Sequence, residues 1–207
     1  VIFLLGDLFD FWFEYYKSVP KGFTRVLGKL AELSDSGIKI YFFVGNHDYW
    51  TRDYFQKEIG MEVLKKPTEF KINNKVFFIG HGDGLGPGDF KYKFLKRIFR
   101  NPLFIFLFRI NYPWFGIPLG NFFSRKNKIL SGNNIKFKSK ENEILYHFCK
   151  KKLNVKHYDF FVFGHRHLPL KIELGNNSYY FNTGDWINHY SFLHFKDDSL
   201  QLKYFKN

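Results

Sequence analysis

Four short motifs carry the groups of this chain that could do chemistry: Gly6-Asp7-Leu8-Phe9-Asp10, Gly45-Asn46-His47-Asp48, Gly80-His81-Gly82-Asp83 and Gly164-His165-Arg166-His167. Each follows a hydrophobic run, at residues 1–5, 40–44, 76–79 and 160–163. In α/β sheets ligands collect at the carboxyl ends of strands, so four such loops can bring carboxylate, amide oxygen and imidazole to one point. Oxygen and imidazole donors without thiolate suit a borderline divalent metal such as Mn, Fe or Zn better than a structural zinc site. Taken singly, a Gly-Asp or Gly-Asn after a strand reads equally well as a plain turn, because these residues tolerate left-handed backbone. The combination decides. Four of the eight histidines, His47, His81, His165 and His167, sit in these glycine-containing loops, whereas His147, His157, His189 and His194 read as ordinary surface or core residues.

The elements that must position these loops are legible in the hydrophobic pattern. Phe23, Val26, Leu27, Leu30 and Leu33 form one helical stripe ending near Gly37, and it lies between the first two strands as a crossover helix should. After His167, residues 170–173, 179–181, 191–195 and 200–204 alternate or run short between Gly, Asn and Asp, which predicts antiparallel strands. The chain is therefore read as α/β, with two sheets flanked by helices.

A length of 207 residues predicts one domain with an elaboration, and 45% hydrophobic content with 29 phenylalanines supports an aromatic-rich core. The single cysteine, Cys149, excludes an intramolecular disulfide and fits a reducing compartment. Residues 91–156 hold 16 Lys and Arg against two acids, Glu141 and Glu143, a balance of +14 in a chain whose total is +13. All the excess positive charge lies in this segment, a shift of the kind that marks an inserted subdomain. Within it Phe90, Phe94, Leu95 and Ile98 fall at helical spacing opposite Lys91, Lys93, Lys96, Arg97 and Arg100, which predicts a basic amphipathic helix. The apolar run at 103–110 is too short to span a bilayer and contains Arg109. Either a core-facing helix pair with solvated lysines or a lid facing an acyl substrate and an anionic membrane fits this pattern. No nucleic-acid motif accompanies the charge.

Together the motifs resemble the calcineurin-like metallophosphoesterases, whose pattern runs D-x-H, G-D-x-x-D, G-N-H-[DE], H and G-H-x-H. Every element but the first is present. The surrounding words are similar to the UDP-2,3-diacylglucosamine hydrolases of that superfamily. They are Leu-Gly-Asp-Leu-Phe-Asp-Phe-Trp at 5–12, Asp35-Ser36-Gly37-Ile38-Lys39, the 81–89 loop and Gly184-Asp185-Trp186. The resemblance implies a four-layer α/β/β/α sandwich over 1–207, with 90–156 as an inserted helical lid. It implies two divalent metal ions, Mn2+ being expected, bridged by Asp7. Asn46, His81 and His165 would complete the second site and His167 would belong to the first. His47 would stand near the leaving oxygen as general acid or as donor to developing charge, with Asp48 orienting its ring, while Asp10 and Asp83 hold ligands in place. Many of these hydrolases carry arginine where this chain has His47.

Substrate contacts are implied at Asn46, Asp89, Ser124, Arg125, Lys126 and His165. The implied reaction is hydrolysis of the diphosphate of a lipid-linked nucleotide, UDP-2,3-diacylglucosamine, in lipid A biosynthesis. The implied place is cytoplasmic, peripheral on the inner face of the inner membrane, with an anionic membrane surface as partner and neither nucleic acid nor an obligate protein partner. No D-x-H precedes Asp7, and the chain opens on Val1 inside a strand. The expectation is therefore that an upstream strand and helix are missing, that the first site keeps only Asp7 and His167, and that the chain binds one metal well and catalyses poorly. Two other readings of the same motifs stand beside this one: a phosphoesterase of nucleotides or other diesters, and a binding module that has lost turnover.

Overall fold

The computed structural model describes residues 1–88, 90–131, 137 and 139–205, apart from the side chains of 91, 123 and 125–131. Backbone contacts divide the chain into two units, residues 1–65 with 89–133 and residues 66–88 with 134–207. The first unit contains a parallel sheet in the order β1 (Ile2–Leu4), β2 (Ile40–Phe43), β3 (Glu62–Leu64). Its crossover helix α1 (Thr24–Asp35) buries Leu27 and Leu30, as their spacing predicts. Gly37, at φ 85°, ends that helix by donating its N–H to the Ser34 carbonyl at 2.9 Å. Trp12, Phe42 and Phe55, each fully buried, centre the core against which these elements pack.

A buried carboxylate organises the chain beyond β2. Glu14 is 4% exposed and accepts the Thr51 hydroxyl at 3.2 Å and the N–H groups of Arg52, Asp53 at 3.0 Å and Tyr54 at 3.1 Å. These donors open the short helix α2 (Tyr54–Lys57), whose first N–H groups have no partner within the helix, so the charge is neutralised by dipoles rather than by a cation.

The remainder of this unit is helical: α3 (Phe90–Phe99), α4 (Pro102–Ile110) and α5 (Pro113–Ser131). Asn101 caps α4 by accepting the Leu103 N–H at 2.9 Å, and Pro102 takes the first helical position, where no donor is needed. Of α4, Ile105 and Phe108 rest against Phe11, Phe13 and Tyr15, yet no residue of the helix is buried. Leu103, Phe104 and Ile110 are each more than half exposed. No helix among the described residues is long and apolar enough to cross a membrane.

The second unit contains a five-stranded sheet in the order β4-β5-β6-β8-β7, from β4 (Thr68–Ile72), β5 (Lys75–Gly80), β6 (Phe160–Phe163), β7 (Pro169–Gly175) and β8 (Ser178–Thr183). The strands after His167 are not all antiparallel as expected. β7 takes the sheet edge and turns through Asn176 and Asn177, both at positive φ, so that β8 returns between β7 and β6 and runs parallel to β6. A separate antiparallel hairpin joins β9 (Ser191–Lys196) and β10 (Ser199–Tyr204). Helix α6 (Ile144–Leu153) buries Leu145 and Cys149 in the aromatic core of this unit, and burial pushes the Cys149 thiol well up from its ordinary pKa. The fold is thus α/β with one parallel sheet, one mixed sheet and helices, consistent with the broad class that the sequence predicts.

Two substitutions test these supports. Glu14→Gln removes the charge that four donors surround, and chemical denaturation should register a loss of about 2–3 kcal/mol. Asp159, where β6 begins, accepts the Val76 N–H at 2.8 Å and the Lys75 ammonium at 3.2 Å. Burial raises its pKa, but these partners outweigh burial and leave it below the usual carboxylate range. A depressed folded-state pKa contributes stability above the unfolded-state value and loses it as pH falls through the folded-state value. Asp159→Asn should therefore lower stability at neutral pH and flatten the acid side of the stability profile, measured by denaturation across pH.

Candidate metal centre

The first two motif loops meet because position 45 has no side chain. A Cβ built on Gly45 would lie 2.2 Å from Asp7 Oδ1 and 2.5 Å from the Asp7 nitrogen, so only glycine lets the loop after β2 approach the loop after β1 this closely. Two carboxylates then fasten the loops. Asp48, fully buried, accepts the Leu8 N–H at 2.9 Å and the Gly45 N–H at 2.6 Å. Asp7 in turn accepts the His47 N–H at 2.9 Å through Oδ1. Asp7 adopts a left-handed backbone, φ 52°, which aspartate bears better than most residues. Asn46 sits between the two tethered residues Gly45 and His47.

In the second unit the loops after β5 and β6 are tied in the same manner. Gly164 donates its N–H to the His81 carbonyl at 3.0 Å, and the His81 and His165 rings meet edge to face with centroids 5.0 Å apart. His81 is 4% exposed, and Asp83 is buried two residues beyond it. His165 and His167 both adopt left-handed backbone, at φ 62° and 53°. The residue between them supplies an anchor: Arg166 grips the carboxylate of Glu143 through Nε at 3.1 Å and Nη2 at 3.2 Å, and Glu143 is 2% exposed. A second anchor is Asn182, fully buried, which donates to the Gly164 carbonyl and accepts the Gly184 N–H at 3.2 Å. The His167 ring turns to Asp185, with Nδ1 3.6 Å from Oδ2, while His189 Nδ1 lies 3.4 Å from the other oxygen. Burial raises the Asp185 carboxyl, but the N–H groups of Asn188, His189 and Ile187 and the His189 ring outweigh it and bring the pKa to about 2.

Asp7 in the first unit and His81 and His165 in the second are candidate metal ligands, each offering one ligand atom. One carboxylate and two imidazoles are a donor set that fits a borderline divalent cation. His167 is not in the trio. The His47 ring has two partners of its own. Its Nδ1 lies 2.8 Å from both the Asp10 carbonyl and the Ser124 hydroxyl, and Asp48 accepts from the backbone of Leu8 and Gly45. Ser124 is itself 8% exposed. Of the implied substrate contacts, Asp89 and the side chains of Arg125 and Lys126 lie outside the described residues.

The anchors Glu143 and Asn182 went unread in the sequence. For Glu143 there was a signal: it is one of two acids among 16 bases in residues 91–156. Gly45→Ala should cost about 2 kcal/mol by denaturation, because the methyl group has no room. Gly28→Ala in α1, which meets nothing within 4 Å, should instead be neutral or stabilising. Glu143→Gln should weaken divalent-metal affinity by about 10- to 100-fold in calorimetric titration, since the loop carrying His165 loses its ionic anchor.

Comparison with known proteins identifies the family. Residues 1–169 match the family model described as calcineurin-like phosphoesterase. The UDP-2,3-diacylglucosamine hydrolase of Porphyromonas gingivalis is 38% identical to this chain, over 98% of this chain and 82% of its own length. That of Ectopseudomonas mendocina is 30% identical over 89% of this chain and 76% of its own length. Among solved structures, vacuolar protein sorting 29 from Cryptosporidium parvum aligns at a TM-score of 0.39 and 13% identity, covering 98% of this chain and 94% of that one. The chain belongs to the calcineurin-like phosphoesterase family.

Proposed function

We propose that this metal-dependent hydrolase of the calcineurin-like family cleaves the diphosphate of a lipid-linked nucleotide, UDP-2,3-diacylglucosamine. The products are UMP and 2,3-diacylglucosamine 1-phosphate, with water attacking the phosphorus nearer the uridine. The observation that carries the reaction class is the match of residues 1–169 to the calcineurin-like phosphoesterase family, which the donor set of Asp7, His81 and His165 supports. The substrate class rests on the 38% identity to a relative named for that substrate over nearly the whole chain. The exposed apolar side chains of α3, α4 and α5, in a segment with a balance of +14, suit an acylated, anionic substrate and the anionic membrane in which it partitions. In this reading the chain works on the inner face of a cytoplasmic membrane as a peripheral protein, without nucleic acid.

Asp7, Asn46, His81 and His165 would hold one divalent cation in this reading, and His167 with Asp7 would contribute to a second; Mn2+ is the ion we assign. A bound cation of this kind polarises phosphoryl oxygen and makes water a nucleophile at neutral pH. The residues do the rest. Asp7 is oriented by the His47 N–H, so its carboxylate is set before any ligand arrives. Asn46 contributes a neutral oxygen and adds no negative charge that would repel a phosphate. His47, tethered next to Asp7, meets the charge that grows on the leaving oxygen.

The test is UMP release from UDP-2,3-diacylglucosamine with Mn2+, comparing wild type with Asn46→Ala and His165→Ala. Each variant should fall by about 100-fold or more, as expected when an electrostatic element of a phosphoryl-transfer site is removed. Equal rates in all three would remove the metal proposal. Activity on simple nucleotide diesters but none on the lipid nucleotide would remove the substrate assignment alone.

A further inference from the structure

Helix α5 carries Gly116, Gly120 and Ser124 at intervals of four, and all three are buried. This spacing puts them on one face. A Cβ on Gly116 would sit 2.2 Å from the Tyr15 hydroxyl, and one on Gly120 would sit 2.2 Å from the Phe11 ring. The two glycines therefore let the helix lie directly on the strand-like segment that follows Asp10. One turn further along, the same face delivers the Ser124 hydroxyl to the Asp10 carbonyl and to within 2.8 Å of His47 Nδ1.

The hydrogen-bond roles in this triangle are determined by elementary valence. The Asp10 carbonyl can only accept. Ser124 has one proton and donates it to that carbonyl, so its oxygen faces His47 with lone pairs. Both neighbours of Nδ1 are thus acceptors, and Nδ1 must carry a proton. Nε2 of His47 has no hydrogen-bond partner among the described residues. In the neutral ring it therefore presents its lone pair, and it can donate to the leaving oxygen only in the doubly protonated ring.

We propose that Ser124 is the positioning residue for His47, fixing its Nδ1–H tautomer and ring plane so that Nε2 is the atom turned to the substrate. Its hydroxyl is consumed inside the protein and does not read the substrate. The inference rests on the function proposed above only for what Nε2 meets; the tautomer stands on geometry alone.

Two measurements test it. In the chain labelled with 15N-histidine, at a pH where the ring is neutral, His47 should show a protonated Nδ1 and an unprotonated Nε2, the signal being identified by its loss in His47→Gln. The Nδ1 proton should remain visible in Ser124→Thr, which keeps the hydroxyl. It should exchange away in Ser124→Ala, and likewise in Gly120→Ala, whose methyl group displaces the helix. In hydrolysis, Ser124→Ala should lower kcat about tenfold at unchanged KM, the scale of a misaligned catalytic group, and should have no further effect in a His47→Gln background. A neutral His47 protonated at Nε2 would overturn the proposal, as would a Ser124→Ala effect that appears in KM and persists without His47. A chain that hydrolyses nothing would defeat the functional reading while leaving the tautomer measurement decisive.

Discussion

The close approach at Gly45 is the constraint on which the first half of the centre depends. Removing one methyl group from the chain at that point brings the backbone nitrogen of position 7 within van der Waals range of the next loop, and everything nearby uses the space so gained. Asp48 can then bridge two loops with one carboxylate, because its acceptor sites reach N–H groups on both sides. Asp7 can accept from His47, which fixes the carboxylate plane in advance. Such preorganisation matters for a metal ligand, since a carboxylate already held by charge-assisted bonds loses little freedom when it binds. The cost is borne by the backbone, in the left-handed turn at Asp7.

Backbone strain recurs where the second unit carries its imidazoles. Among the described residues, left-handed conformations outside glycine fall mostly on Asn and Asp at turns; the two histidines among them are His165 and His167. A strained turn persists when its surroundings over-determine it. Here the fork of Arg166 on Glu143, the Asn182 amide on the Gly164 carbonyl and the Gly164 N–H on the His81 carbonyl supply that determination. The ligand loops are thus held by partners that never approach a substrate. This explains why so much buried polarity surrounds so few reactive groups.

Legibility in the sequence followed the range of the physics involved. The strands before the four motifs and the helix at 24–35 could be read because hydrophobic runs and helical stripes are local patterns, and α3 announced itself by amphipathic spacing. The position of β8 between β6 and β7 could not be read, since sheet order is set by which hairpin returns inside which, a non-local choice. Short elements such as α2 and β3 carry too few residues to show a period. In the centre, Asp7, His81 and His165 were read as candidate metal ligands from glycine-flanked motifs after strands. The orienting partners of His47 were not, because a backbone carbonyl at position 10 has no signature and Ser124 lies 77 residues from the ring it holds. Sequence motifs mark groups that meet ligands, whereas groups that hold those groups need only be near them in space.

The enclosure of Cys149 has a practical corollary. The thiol is fully buried within α6, and the surrounding apolar core holds it in its protonated, unreactive form. Maleimide and iodoacetamide reagents, which attack the thiolate, will pass the native chain by. A cysteine introduced at any exposed position therefore becomes a unique attachment point for a fluorophore or spin label. Distances between chosen surfaces can then be followed without first engineering the natural thiol away.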